Sequence, residues 1–143
     1  MKHLRVSAAV IHRNGSYLLC RRRNDGEQPG KWEFPGGKIE QGESPEACLV
    51  REIREELELD VTLGARIGVF AHSDKGRHLE LVVFHAEAGS GTPALNNHDE
   101  VSWVSPHALL AYDLAPADIA VARSLAEAEE QRRKNASGGR QLM

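Results

Sequence analysis

The chain has 143 residues, a net charge of −3, 41% hydrophobic residues and two cysteines. That length suits one domain with a real core, and the mild acidity gives no electrostatic reason to expect nucleic acid or an anionic membrane as partner. No run approaches the roughly 20 apolar residues needed to span a bilayer, the start MKHLRVSAAV lacks a signal-peptide core, and neither Cys20 nor Cys48 belongs to a CxxC pair. A cytoplasmic protein with reduced, buried thiols is expected, and no stable nucleic-acid complex or membrane association.

Taken in order, residues 3–12 read as a strand, and Asn14-Gly15 supplies a tight hairpin turn before the return strand Tyr17-Leu18-Leu19-Cys20. Arg21-Arg22-Arg23 at its end fits either a solvated rim or phosphate capture by guanidinium forks. Residues 24–30 form a loop, Trp32-Glu33-Phe34 a short strand, and Pro35-Gly36-Gly37 a turn or a close backbone approach to a ligand.

Ser44 as N-cap, Pro45 at the first helical position and Glu46 in the first turn start a helix with Ala47, Val50, Ile53 and Leu57 as its apolar stripe. Its second half carries Glu52, Glu55, Glu56 and Glu58, although the helix dipole favours cations there. Pairs Arg51–Glu55 and Arg54–Glu58 compensate part of this charge and leave Glu52 and Glu56 without a local partner. Positions 52, 55 and 56 share one helix face, so their oxygens can converge on a hard divalent cation such as Mg2+ or Mn2+.

Strands follow at residues 61–72, 79–86 and 100–104, the last with Trp103 as a core anchor. A helical turn follows Pro106, and Pro116 opens a final helix with Ile119, Val121 and Leu125 inward. A single domain over 1–134 and a frayed, disordered tail over 135–143 are expected, since the tail has no core residues. His72, His78, His85, His98 and His107 show no ligand spacing and read as ordinary strand and loop residues. The order of elements implies a mixed sheet with helices on its faces.

The spacing Gly37, five residues, Glu43, seven residues, then Arg51-Glu52-Ile53-Arg54-Glu55-Glu56 resembles the Nudix box, with Glu58 where the box has glycine. WEFPGGKIE and the segment from Trp103 through LAPAD resemble the MutT-like branch. The resemblance implies an α+β Nudix fold, an α/β/α sandwich around a mixed sheet. It further implies a Mg2+-dependent pyrophosphohydrolase, with Mn2+ able to substitute, that splits a nucleoside triphosphate into monophosphate and pyrophosphate as a nucleotide-pool or DNA-repair function.

By the same resemblance Gly36 (through its carbonyl), Glu52, Glu55 and Glu56 bind metal, Arg51 and Glu43 orient them, and Glu52 is the candidate base. Arg22, Phe34 and Asp118 are implied on the substrate, with complementing the dipole of the last helix as the other reading of Asp118. Lys38 fits either a phosphate contact or a solvated side chain, and Asn97 stands where many relatives carry a glutamate, with Asp99 or Glu100 as candidate substitutes. LAPAD with an aspartate is similar to the CTP and 5-methyl-dCTP pyrophosphohydrolases, whereas FPGGKIE is similar to the 8-oxo-dGTP diphosphatases, so both substrate classes are open. A monomer or weak homodimer is expected. The alternatives are a nucleotide-binding regulator without turnover and a hydrolase of a nucleoside diphosphate derivative such as ADP-ribose.

Overall fold

The computed structural model describes residues 2–142. Strand β1 (Lys2–Arg13) is the axis of the fold, with β2 (Ser16–Arg22), β3 (Trp32–Glu33), β4 (Gly36–Lys38), β5 (Val61–Asp74), β6 (Arg77–Ala88) and β7 (His98–Val104) around it. Helix α1 (Pro45–Leu57) separates β4 from β5, and a 3-10 turn (Pro106–Ala111) leads into α2 (Pro116–Leu142). One edge of β1 pairs in parallel with β6 from Lys2 to His12. Its other edge is divided: Val6–Ala8 pair antiparallel with β4, while only His12 and Arg13 pair with β2 across the Asn14-Gly15 hairpin. Strand β2 carries β3 on one side and β7 on the other, and β5 closes the far edge on β6, so the sheet is mixed as expected.

Alternation along β1 shows why both faces need covering. Ala8 and Val10 join Leu19, Phe34, Val83 and Val121 in one core beneath α2. Ala9 and Ile11 join Leu18, Val82, Leu49 and Ile53 in a second core beneath α1. A strand buried on both faces reads as a near-continuous apolar run, which is what residues 8–11 are. The result is the expected α/β/α sandwich.

Local expectations hold in several places. Ser44 caps α1 by accepting the Ala47 N–H at 3.0 Å, and Pro45 is the first helical residue. Asn14 and Gly15 have φ of 51° and 79°, the left-handed pair a tight hairpin requires. Both cysteines are buried and unbonded to each other. Among the described residues no helix is long and apolar enough to cross a membrane.

Three expectations are corrected. The buried stripe of α1 is Cys48, Leu49, Ile53 and Leu57; Ala47 is exposed and Val50 half-buried, because the helix is rotated so that its cysteine faces the sheet. Gly36 and Gly37 belong to a strand rather than a turn, and their φ values are not positive. Arg54 pairs with Asp60 at 2.9 Å instead of Glu58, since α1 ends at Leu57 and Glu58 turns away. Helix α2 runs through Leu142, and its residues 135–137 are exposed and add nothing to the core. Met143 lies outside the described residues.

Glu58 ends α1 in a left-handed conformation, φ 53° and ψ 39°, with its N–H bonded to the Arg54 carbonyl. Glycine takes this conformation without the steric cost a Cβ brings, which explains the glycine of the motif Glu58 departs from. Glu58→Gly is expected to stabilise the fold by about 0.5–1 kcal/mol, read as a higher urea midpoint at unchanged slope.

Candidate functional site

The site forms where the divided edge of β1 sends β4 and β2 apart. Gly36 lies so close to β1 that a Cβ there would meet the Ser7 carbonyl oxygen at 1.9 Å. Gly37 is closed on its other side: a Cβ would stand 2.3 Å from the Glu52 carboxyl carbon. The two glycines therefore let α1 lay the Glu52 carboxylate directly over the β4 backbone.

Arg51 organises the acids. Its Nε and Nη2 donate to the two oxygens of Glu43 at 2.7 and 3.0 Å, a bidentate fork, and its Nη1 donates to Glu52 at 2.9 Å and Glu55 at 3.4 Å. These bonds, with the Glu40 N–H, hold the Glu43 carboxyl down at about 2 and push the Arg51 guanidinium up. Glu52 is thus compensated by its own neighbour, contrary to the sequence expectation. The reason is that a guanidinium offers five donors in one plane and can serve three carboxylates at once.

Glu56 differs. Burial, then the charges of Glu52 and Glu33, push its carboxyl up to about 8, opposed by the Asn97 amide that donates to its Oε1 at 3.3 Å. Its Oε2 is buried without a donor. Glu52 and Glu56 are neighbours, whereas Glu55 is mostly exposed and leans on Arg51. Among the described residues no three acidic, histidine or cysteine side chains converge as a group ready to hold a metal, so the shared face of positions 52, 55 and 56 is only partly realised. The donors nonetheless fit a hard divalent cation: all are oxygens, and the orphaned Glu56 Oε2 beside a second carboxylate is an electrostatic cost that a cation relieves.

A cavity of about 390 Å³ adjoins this cluster. Glu56, Gly36, Gly37 and Lys38 line part of it, and Arg22, Phe34, Asn97 and Asp118 are also among its lining residues. The loop before α2 is zipped to β3 by Trp32 N–H to the Asp113 carbonyl at 2.9 Å and Ala115 N–H to the Trp32 carbonyl at 2.8 Å. That seats the first turn of α2 on Phe34, whose N–H donates to Asp118 Oδ1 at 3.0 Å. Asp118 is buried, and desolvation followed by the Glu33 charge pushes its carboxyl well up, so the neutral acid is favoured. Of the sequence-predicted residues, the cavity thus joins Glu56, Gly36, Lys38, Arg22, Phe34 and Asp118. Glu52, Glu55, Arg51 and Glu43 stand behind Glu56 rather than in the cavity wall.

Two residues were not anticipated. Glu33 receives Arg22 Nη1 at 2.6 Å and His98 Nε2 at 2.9 Å, and it also lines the cavity. His98 lies in β7, as a strand residue, and is buried there against Glu33. Their sequence separation hides the contact; only the position of Glu33 inside WEFPGG hinted at a role.

Comparison with known proteins agrees with this architecture. Residues 1–125 match the NUDIX domain family. The CTP pyrophosphohydrolase of Escherichia coli K12 is 42% identical over 119 residues, covering 83% of this chain and 88% of that protein. The 8-oxo-dGTP diphosphatase of the same strain is 33% identical over 119 residues, covering 82% and 92%. The crystal structure of the MutT protein from Methanosarcina mazei Go1 superposes with a TM-score of 0.77 at 26% identity, over 94% of this chain and 96% of that one. A family match over almost the whole folded domain, on a sheet divided around a glycine pair and an arginine-clamped glutamate helix, makes this chain a member of the Nudix hydrolase family.

Proposed function

We propose that the protein is a Mg2+-dependent nucleoside triphosphate pyrophosphohydrolase whose preferred substrates are cytosine nucleotides. The observation that carries the reading is that one cavity is lined both by Glu56 with Lys38 and by Phe34 with Asp118. A single ligand with a polyanionic end and a flat base matches both sets.

Glu52, Glu55, Glu56 and the Gly36 carbonyl would hold the divalent ion, which when bound neutralises phosphate charge and lowers the pKa of water. Arg51 keeps Glu52 in one orientation, and Glu52 is the candidate to take the proton of the attacking water. The water oxygen adds to the β phosphorus and the bridge to the α phosphate breaks, giving monophosphate and pyrophosphate. Asn97 offers an amide and cannot take a proton, so the helix glutamates carry that duty alone. Arg22 and Lys38 supply positive charge to the phosphates.

At the base, a neutral Asp118 presents one donor and one acceptor. That pair complements the cytosine N3 acceptor and N4 amine. It also complements a ring N–H and O6 of an oxidised guanine, so 8-oxo-dGTP is the second reading. The higher identity to a CTP pyrophosphohydrolase, 42% against 33%, supports cytosine as the first reading.

Turnover of CTP, dCTP, 5-methyl-dCTP and 8-oxo-dGTP, with both products measured, tests this. A preference for the cytosine group above about tenfold in kcat/KM, or roughly 1.4 kcal/mol of barrier, is expected. Release of phosphate instead of pyrophosphate would refute the assigned bond. Asp118→Ala is expected to lower kcat/KM for the preferred base by about tenfold or more and to flatten the ranking across bases, an outcome a merely structural aspartate would not produce.

Glu56→Gln should abolish Mg2+-dependent turnover while Asn97→Ala costs far less; equal losses would sink the division of labour. The same Gln variant has an opposite effect on folding. Glu56 titrates near 8 folded against an ordinary value near 4.5, so the folded state holds an extra proton between those values and loses stability as pH rises through them. In EDTA, Glu56→Gln is expected to melt above the wild type at pH 8 and to converge with it below pH of about 4.5.

A further inference from the structure

Three adjacent strands place Glu33 of β3, Arg22 of β2 and His98 of β7 side by side. The β2–β7 register shifts between Arg21 and Arg22, and the shift sets Arg22 opposite His98. Such irregularities re-aim side chains locally. Across β2, His98 Nε2 reaches Glu33 Oε2 at 2.9 Å, while Arg22 Nη1 takes the other oxygen, Oε1, at 2.6 Å. Arg22 Nε is tied in turn to the Glu27 carbonyl at 2.7 Å.

The energetics single out His98. Its side chain is 1% exposed and its Nδ1 is buried without a partner. An unmade bond of this kind is a cost that an apolar side chain of similar size would not carry, although such a side chain would leave Glu33 Oε2 without its donor. The imidazole therefore brings no packing advantage; what it adds is the contact to Glu33. A carboxylate with one oxygen held can turn its other oxygen only to the place its partner needs. With Nη1 and Nε both engaged, the Arg22 fork is fixed in orientation and keeps Nη2, which makes no hydrogen bond among the described residues, for a ligand oxygen.

We propose that His98 is a positioning residue that acts through Glu33 to fix the Arg22 guanidinium at the cavity wall for a phosphate oxygen of the nucleotide. This rests on the nucleotide-hydrolase reading for its ligand, and on the strand geometry alone for the positioning.

The test is a set of variants in the intact protein. His98→Leu removes the contact, His98→Gln carries an amide donor out to about the Nε2 position, and His98→Asn carries one that stops short. His98→Leu and His98→Asn are expected to raise KM for the best nucleotide about tenfold with kcat changed less than about twofold, and His98→Gln to recover most of it. In an Arg22→Ala background, His98→Leu should add no further rise in KM. Independently of turnover, the Arg22 Nε–H resonance should be protected from solvent exchange in the wild type, lose protection in His98→Leu and regain it in His98→Gln. An unchanged Arg22 resonance in a folded His98→Leu protein, or a KM effect that persists in full without Arg22, overturns the proposal. A wild type that hydrolyses no nucleotide overturns the functional reading instead, and the resonance still decides the positioning.

Discussion

The Arg51 guanidinium is the constraint on which the site depends. A helix that ends in four glutamates is unfavourable by its own dipole and by mutual repulsion. One fork that bonds Glu43 twice and reaches Glu52 and Glu55 changes that balance. It also joins the loop before α1 to the body of the helix, because Glu43 receives the guanidinium and also accepts the Glu40 N–H. Exposed ion pairs contribute little one at a time, so the clamp matters through geometry: it holds Glu52 against Gly37 and leaves Glu56 as the carboxylate with an unmet oxygen.

Glu56 is accordingly where stability and function oppose each other. A buried carboxyl beside two other acids is held on the neutral side, and nothing in the packing of α1 requires it. The helix anchors itself with Cys48, Leu49, Ile53 and Leu57, all fully buried. Strain of this kind persists where the surrounding framework over-determines it. Here the framework is the close contact of β4 with β1, which only glycine at position 36 permits.

The motif was legible because its chemistry follows helical periodicity: acids three and four residues apart, a capping serine and a proline start can all be read from spacing. The strands of β1 and β2 were legible from their apolar runs and the Asn14-Gly15 turn. Rotation of α1 was not, since Ala47 and Cys48 are both acceptable at an apolar position and only the facing sheet chooses between them. The glycine pair read as a turn because its true reason, a side chain from α1 and a carbonyl from β1 pressing on it, is tertiary. Glu33 and His98 were missed for the same cause: they lie 65 residues apart and meet across a strand between them.

That unread pair links the two halves of the cavity. Glu33 raises the carboxyls of both Glu56 and Asp118 by its charge, one on the glutamate helix and one in the first turn of α2. Arg22 opposes it at Asp118, and Asn97, the residue before His98, opposes it at Glu56. The two halves of the cavity therefore share one electrostatic neighbour, although Phe34 packs in the core beneath α2, Asp118 lies in the first turn of α2 and Glu56 is on the opposite helix. A sheet divided between β4 and β2 makes this sharing possible, because the gap opens both faces to the same space. On the proposed reading of the cavity, substrate choice is then not confined to Asp118; it extends to whatever sets the charge around Glu33.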